Sequence, residues 1–204
     1  MTVATETILP PDIPRPGDPV PWFQAWVGDK PKFDFGSIAG RYVVMCFFGS
    51  SENPEALEAL RVASRHRAVF DNERMIFFGI TIDRRDRERN RITRKTGIFP
   101  VWDFDLAVSR AYGAVRGNAT PPATGVVYEP FWLLLDPMLR VIATEPITKG
   151  PELFRVIETL PPQSHYIGSA VYAPVLIIPR VFEPEFCRQL IDLHRKNGGE
   201  PDHE

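Results

Sequence analysis

Two uninterrupted apolar runs, Tyr42–Phe48 (YVVMCFF) and Met75–Ile82 (MIFFGITI), constrain this chain more than any other feature. Both are rich in β-branched and aromatic residues and lack polar alternation, so each reads as a central strand buried on both faces. A sheet covered on both faces needs helices above and below it. The intervening segment supplies one, from about Pro54 to Phe70, and is long enough for a right-handed crossover between parallel strands.

The remaining punctuation extends this alternation. Lys32–Phe35 reads as a short strand, and Ile38–Gly40 turns the chain. Asp83–Lys95 reads as a polar helix, stopped by Thr96-Gly97, with Pro100 blocking its continuation. Leu106–Tyr112 is a short helix, and Gly113–Gly125 is a loop. Phe131–Leu135 and Val141–Thr144 are strands joined by the turn Asp136-Pro137, and Glu152–Leu160 is a further helix. Strands alternating with helices and closing in a tight hairpin predict an α/β fold with a partly parallel sheet and no internal repeat.

The ends differ from this middle. Six of the 21 prolines fall between Pro10 and Pro21, which predicts an extended lead-in over 1–16, ahead of Trp22 and Phe23. It has neither the basic nor the apolar region of a secretory signal, and no run approaches the ~18 apolar residues of a membrane span. The expectation is a cytoplasmic protein with no membrane partner. A formal charge of −2 does not mark a nucleic-acid binder. Past Leu160, a linker over 161–172 leads to a strand at Val175–Ile178 and a helix at Glu183–Lys196, stopped by Asn197-Gly198-Gly199. The piece from 173 to 204 is small for an independent core, so it packs on the main domain or belongs to something larger.

Four segments, in this order, resemble the redoxin and alkyl hydroperoxide reductase/thiol-specific antioxidant (peroxiredoxin) branch of the thioredoxin-like superfamily. They are GDPVPWFQA (Gly17–Ala25) with its following strand, GSSENPEAL (Gly49–Leu57), AVSRAYGA (Ala107–Ala114) and PFWLLLDPMLRVI (Pro130–Ile142). The resemblance covers about Gly17 to Leu160. It implies a three-layer α/β/α sandwich with a mixed central sheet, here carrying a small C-terminal strand-helix extension. It also implies an antioxidant oxidoreductase whose reactive cysteine stands at the turn after the first central strand.

At that turn the chain departs from the pattern. The two cysteine positions of the thioredoxin type fall on Glu52 and Glu55, and the Pro-x-x-x-Thr/Ser-x-x-Cys pattern of peroxiredoxins is absent. The peroxiredoxin arginine would fall near residue 130, where Pro130 matches the cis-proline of thioredoxins instead. If that geometry holds, Tyr128, Glu129 and Pro130 face Glu52, and a binding groove forms from Ser51, Asn53, Tyr128 and Pro130. Physically, the turn reads as a good helix start. Asn53 suits the N-cap, Pro54 the first helical position, and a first-turn carboxylate such as Glu55 gains roughly 0.3–1 kcal/mol. Glutamates keep the negative charge and remove redox chemistry, leaving either a capped surface helix or a remnant site for a cation or polar group.

The other chemical candidates carry two readings each. The chain has only two cysteines, Cys46 and Cys187, in no C-x-x-C or zinc spacing. Cys46 reads as an inert core residue of a central strand, or as the nucleophile of an atypical thiol peroxidase resolved by Cys187. Cys187 itself reads as packing on the apolar side of the C-terminal helix. Arg84–Lys95 holds seven basic residues among acids. It reads as an ion-paired face, or, if one side is cleanly basic, as a site for a nucleotide, an RNA segment or an acidic partner. The four histidines show no metal-ligand spacing, and no cofactor is implied.

The tail carries a second resemblance. APVLIIPRVFEPEFCRQLIDLHRKNGG (Ala173–Gly199) is similar to the opening strand and helix of prolyl 4-hydroxylase-type 2-oxoglutarate/iron dioxygenases. That family's iron ligands come later than Glu204, so the expectation is a truncated two-domain protein or a leftover put to another use. The combined expectation is a redoxin-like domain with a degenerate site, acting as a non-catalytic interaction or accessory domain. The partners left open are a downstream dioxygenase domain, another protein, or a second copy in a homodimer.

Overall fold

The two apolar runs form adjacent parallel strands at the centre of the sheet. Tyr42–Gly49 is β3 and Met75–Thr81 is β4, and every residue of both is buried. Their register runs from Tyr42 opposite Met75 to Phe47 opposite Ile80. This is a computed structural model, and it describes residues 13–116, 127–166 and 184–198. The chain divides into two compact units, Met1–Ser169 and Ala170–Glu204.

Among the described residues of the first unit the sheet has seven strands in the order β2-β1-β5-β4-β3-β8-β9. The flanking strands are β1 (Gln24–Val27), β2 (Lys30–Asp34), β5 (Ile98–Trp102), β8 (Phe131–Leu135) and β9 (Val141–Pro146). β3, β4 and β5 are parallel, whereas β8 and β9 close one side, and β1 and β2 the other, with antiparallel pairs. The result is the mixed central sheet of a thioredoxin-like α/β fold. A two-stranded ribbon, β6 (Val115–Arg116) with β7 (Val127–Tyr128), stands beside it.

Successive residues of β3 point to opposite faces and feed two separate cores. Tyr42, Val44, Cys46 and Phe48 pack with Trp132 beneath α1 (Pro54–Arg65) and α4 (Gly150–Glu158). Val43, Met45 and Phe47 pack with Val108 and Tyr112 of the region around α3 (Ala107–Ala111). Each fully buried side chain of this size contributes about 1.5–3 kcal/mol through removal from water.

Two expectations need correcting. Asp83–Lys95 is not one helix: α2 spans only Arg84–Glu88, and Asn90 then takes a left-handed φ of 50°. Pro100 lies inside β5 rather than ending a helix. Its carbonyl accepts the Gly28 N–H at 2.8 Å, so its missing donor faces the turn where β1 ends, and nothing is lost. Over its described part the lead-in also contacts the domain. Ile13 is buried in the core, and Thr144 Oγ1 donates to the Pro14 carbonyl at 2.6 Å.

In the second unit, α5 spans Pro184–Asn197. The expected strand at Val175–Ile178 lies outside the described residues. Phe186, Leu190, Ile191 and Leu193 are 43–56% exposed on this helix, and Cys187 is exposed as well. Among the described residues, no helix is long and apolar enough to cross a membrane.

Candidate functional site

β3, β4 and β5 are parallel, so their carboxyl ends gather at one edge of the sheet, the place where open α/β sheets assemble their sites. β3 ends at Gly49, whose φ of 72° starts the sharp turn into α1. The ring of Tyr128 lies against it so closely that a Cβ at Gly49 would stand 2.7 Å from Cδ1. Tyr128 is thus brought to the turn, where its ring fills the space above Gly49.

The turn residues are all engaged. Ser50 Oγ donates to Asp83 Oδ2 at 2.7 Å, and Asn53 Oδ1 accepts the Glu55 N–H at 2.9 Å as the N-cap of α1. Ser51 is buried, and both its N–H and its hydroxyl donate to Asp86. Glu52 is half-exposed and ion-paired with Arg89. Glu55 is exposed in the first turn of α1, and Pro130 is half-buried at the entry to β8. Of the four predicted groove residues, Ser51 and Asn53 therefore serve the turn itself.

Sequence reasoning missed the two buried carboxylates that organise this edge. Asp86, only 2% exposed, accepts from Ser51 and, at 2.6 Å, from Thr81 Oγ1. It ties the ends of β3 and β4 to α2. Asp103, also 2% exposed, follows β5 and accepts the N–H groups of Val108 (3.0 Å) and Ser109 (2.7 Å). Burial pushes its carboxyl up to about 6, assisted by Asp105 and opposed by the bonds from Ser109 and Val108. The signals were present: an acid three residues after the Asp83 cap, and an acid directly after IFPVW.

The first unit has a single cysteine in its sequence, Cys46. Cys46 sits in mid-strand between Gly79 of β4 and Trp132 of β8, with no exposed surface, and burial raises its thiol well above the ordinary range. Tyr128 reaches Ser109 Oγ at 3.3 Å, and burial raises its phenol too. Asp83 is held down to about 2, chiefly by its hydrogen bonds to Arg85, with Ser50 adding in the same direction. The arrangement is a hydrogen-bonded polar turn, with Glu52 at its surface paired to Arg89.

No family model and no curated protein matches this sequence. Among solved structures, the peroxidoxin BcpB of Mycobacterium tuberculosis is similar with a TM-score of 0.56 at 16% identity. That match covers 72% of this chain and 99% of the other. The bacterioferritin comigratory protein of Xanthomonas campestris gives 0.56 at 14% identity, covering 68% and 91% of the two chains. The yeast mitochondrial 1-Cys peroxiredoxin gives 0.56 at 18%, covering 83% of each. At these identities the similarity establishes the fold alone.

Proposed function

We propose that this chain is a redoxin-like domain that has exchanged thiol chemistry for an interaction role, accessory to a 2-oxoglutarate/iron dioxygenase-type protein. The observation that carries the first part is the pair of fates at the expected site. The turn places Glu52 in an ion pair with Arg89, while the thiol of the same unit, Cys46, is sealed in the sheet. A thiol held neutral and out of reach is a poor nucleophile toward a peroxide. The accessory role is supported by the resemblance of Ala173–Gly199 to the opening of such oxygenases. The exposed apolar residues Phe186, Leu190 and Leu193 of α5, spaced to share a helix face, also favour it.

The competing reading is a thiol peroxidase that uses Cys46. One experiment separates the two: peroxide consumption by the native chain and by Cys46→Ser, run beside the rate of thiol labelling. The expected result is no consumption above buffer, with Cys46 labelled only after denaturant is added. Peroxide turnover that disappears in Cys46→Ser would overturn the proposal.

A further inference from the structure

Beside β4, on the face covered by α1 and away from the β3 turn, a cleft of about 170 Å³ opens between the end of α1 and the segment that follows α2. Its rim carries three exposed cations, Arg67, Arg91 and Lys95, and no carboxylate lines it. Its floor is apolar, formed by Leu60, Phe77 and Ile92. Among the described residues none of these three cations has an ion-pair partner, whereas Arg61, Arg65, Arg85, Arg89 and Arg94 each have one. Three unanswered cations around an apolar floor are the complement of an anion with an apolar body.

The backbone that carries the cations is anchored from behind. Ile92 is buried, and its Cδ1 occupies the space that a Cβ at Gly79 would need, at 2.3 Å, so the segment is plugged into the sheet. The Arg91 N–H donates to the Asp86 carbonyl at 2.9 Å. Lys95 exchanges two backbone bonds with Ile98, each 3.0 Å. The carbonyl of Arg67 accepts the Phe70 N–H at 3.2 Å. Backbone fixation of this kind lowers the ordering cost of binding.

We infer that this cleft is a binding site for a small phosphate monoester with a short apolar body. The guanidinium groups of Arg67 and Arg91 suit bidentate contact with phosphate, with Lys95 adding a point charge. The volume is below that of sites for drug-sized ligands, so only a short chain enters and the head group stays at the rim.

Calorimetric titration with n-hexyl phosphate, inorganic phosphate and n-hexyl glucoside tests this. Hexyl phosphate is expected to bind, weakening about fivefold or more in Arg91→Ala and in Lys95→Ala. Arg61→Ala, which removes a cation elsewhere on α1, should leave binding unchanged. Inorganic phosphate should bind about tenfold more weakly than hexyl phosphate, and hexyl glucoside not at all. All three charge changes are at exposed positions, and a thermal melt verifies folding. Failure of hexyl phosphate to bind, unchanged binding in the Arg91→Ala/Lys95→Ala double variant, or equal binding of the glucoside would each overturn the assignment. Equal binding of inorganic phosphate would overturn the apolar half of it.

Discussion

The basic run Arg84–Lys95 is two regions, and they treat their charges in opposite ways. In the first, α2 and the residue after it, every arginine is answered. Arg84 lies over Phe104, Arg85 pairs with Asp83, Arg87 lies over Trp26 at 3.9 Å, and Arg89 pairs with Glu52. In the second, the chain is pinned by Ile92, and only Arg94 turns away, to Asp29 and Phe99. Arg91 and Lys95 stand on the rim of a cleft. Charge that holds a fold together and charge left for a ligand are indistinguishable by count and separable only by what each side chain touches.

The sharpest way to break this contrast is at Asp86, the carboxylate beneath the first region. Asp86→Ala leaves the Ser51 N–H and hydroxyl without their acceptor and deprives Thr81 of one. It should cost about 3–5 kcal/mol in urea unfolding. A loss below about 1 kcal/mol would mean that the turn is not held from that side.

The carboxylates extend the same comparison, since Asp83 is answered by Arg85 and Asp103 only by backbone and hydroxyl donors. Between about pH 4 and pH 6 the folded chain keeps a proton on Asp103 that the unfolded chain has released. Stability from this group therefore falls as pH rises through that window, by up to about 3 kcal/mol. Asp83 acts oppositely and lower: its contribution is present above the ordinary aspartate value of 3.8 and is lost as pH falls toward about 2. Urea midpoints measured from pH 4 to 7 should show the decline in the native chain and a flattened profile in Asp103→Asn.

Ile92→Ala sharpens the second region. It should cost about 2–3 kcal/mol by leaving a cavity over Gly79, and it should also weaken hexyl phosphate binding although no charge is removed. Affinity equal to the native chain would show that the segment needs no anchor. The smallest effect belongs to Arg89→Ala. The pair with Glu52 is half-exposed, so unfolding measurements should register less than about 1 kcal/mol.

What the sequence revealed follows the same division between local pattern and long-range contact. β3, β4 and β8 were legible because unbroken apolar runs leave few alternatives to a buried strand. β5 was hidden by Gly97 and Pro100, which read as helix stops, since only the neighbouring turn at Gly28 makes a proline harmless there. The run after Glu88 reads as helix by composition, and the chain leaves the helix at Asn90, where tertiary anchoring of Ile92 takes over. At the site, the Asn53 cap of α1 could be read directly. That Ser51 would turn inward to Asp86, 35 positions away, could not.

The burial of Cys46 has a practical consequence. A thiol at the centre of the sheet can meet a reagent only when the whole sheet opens, so its labelling in a Cys187→Ser background acts as a clock for unfolding. At low reagent concentration the rate reports the free energy of opening, and at high concentration it saturates at the opening rate itself. A buried side chain thereby becomes a native reporter on how long the domain stays folded.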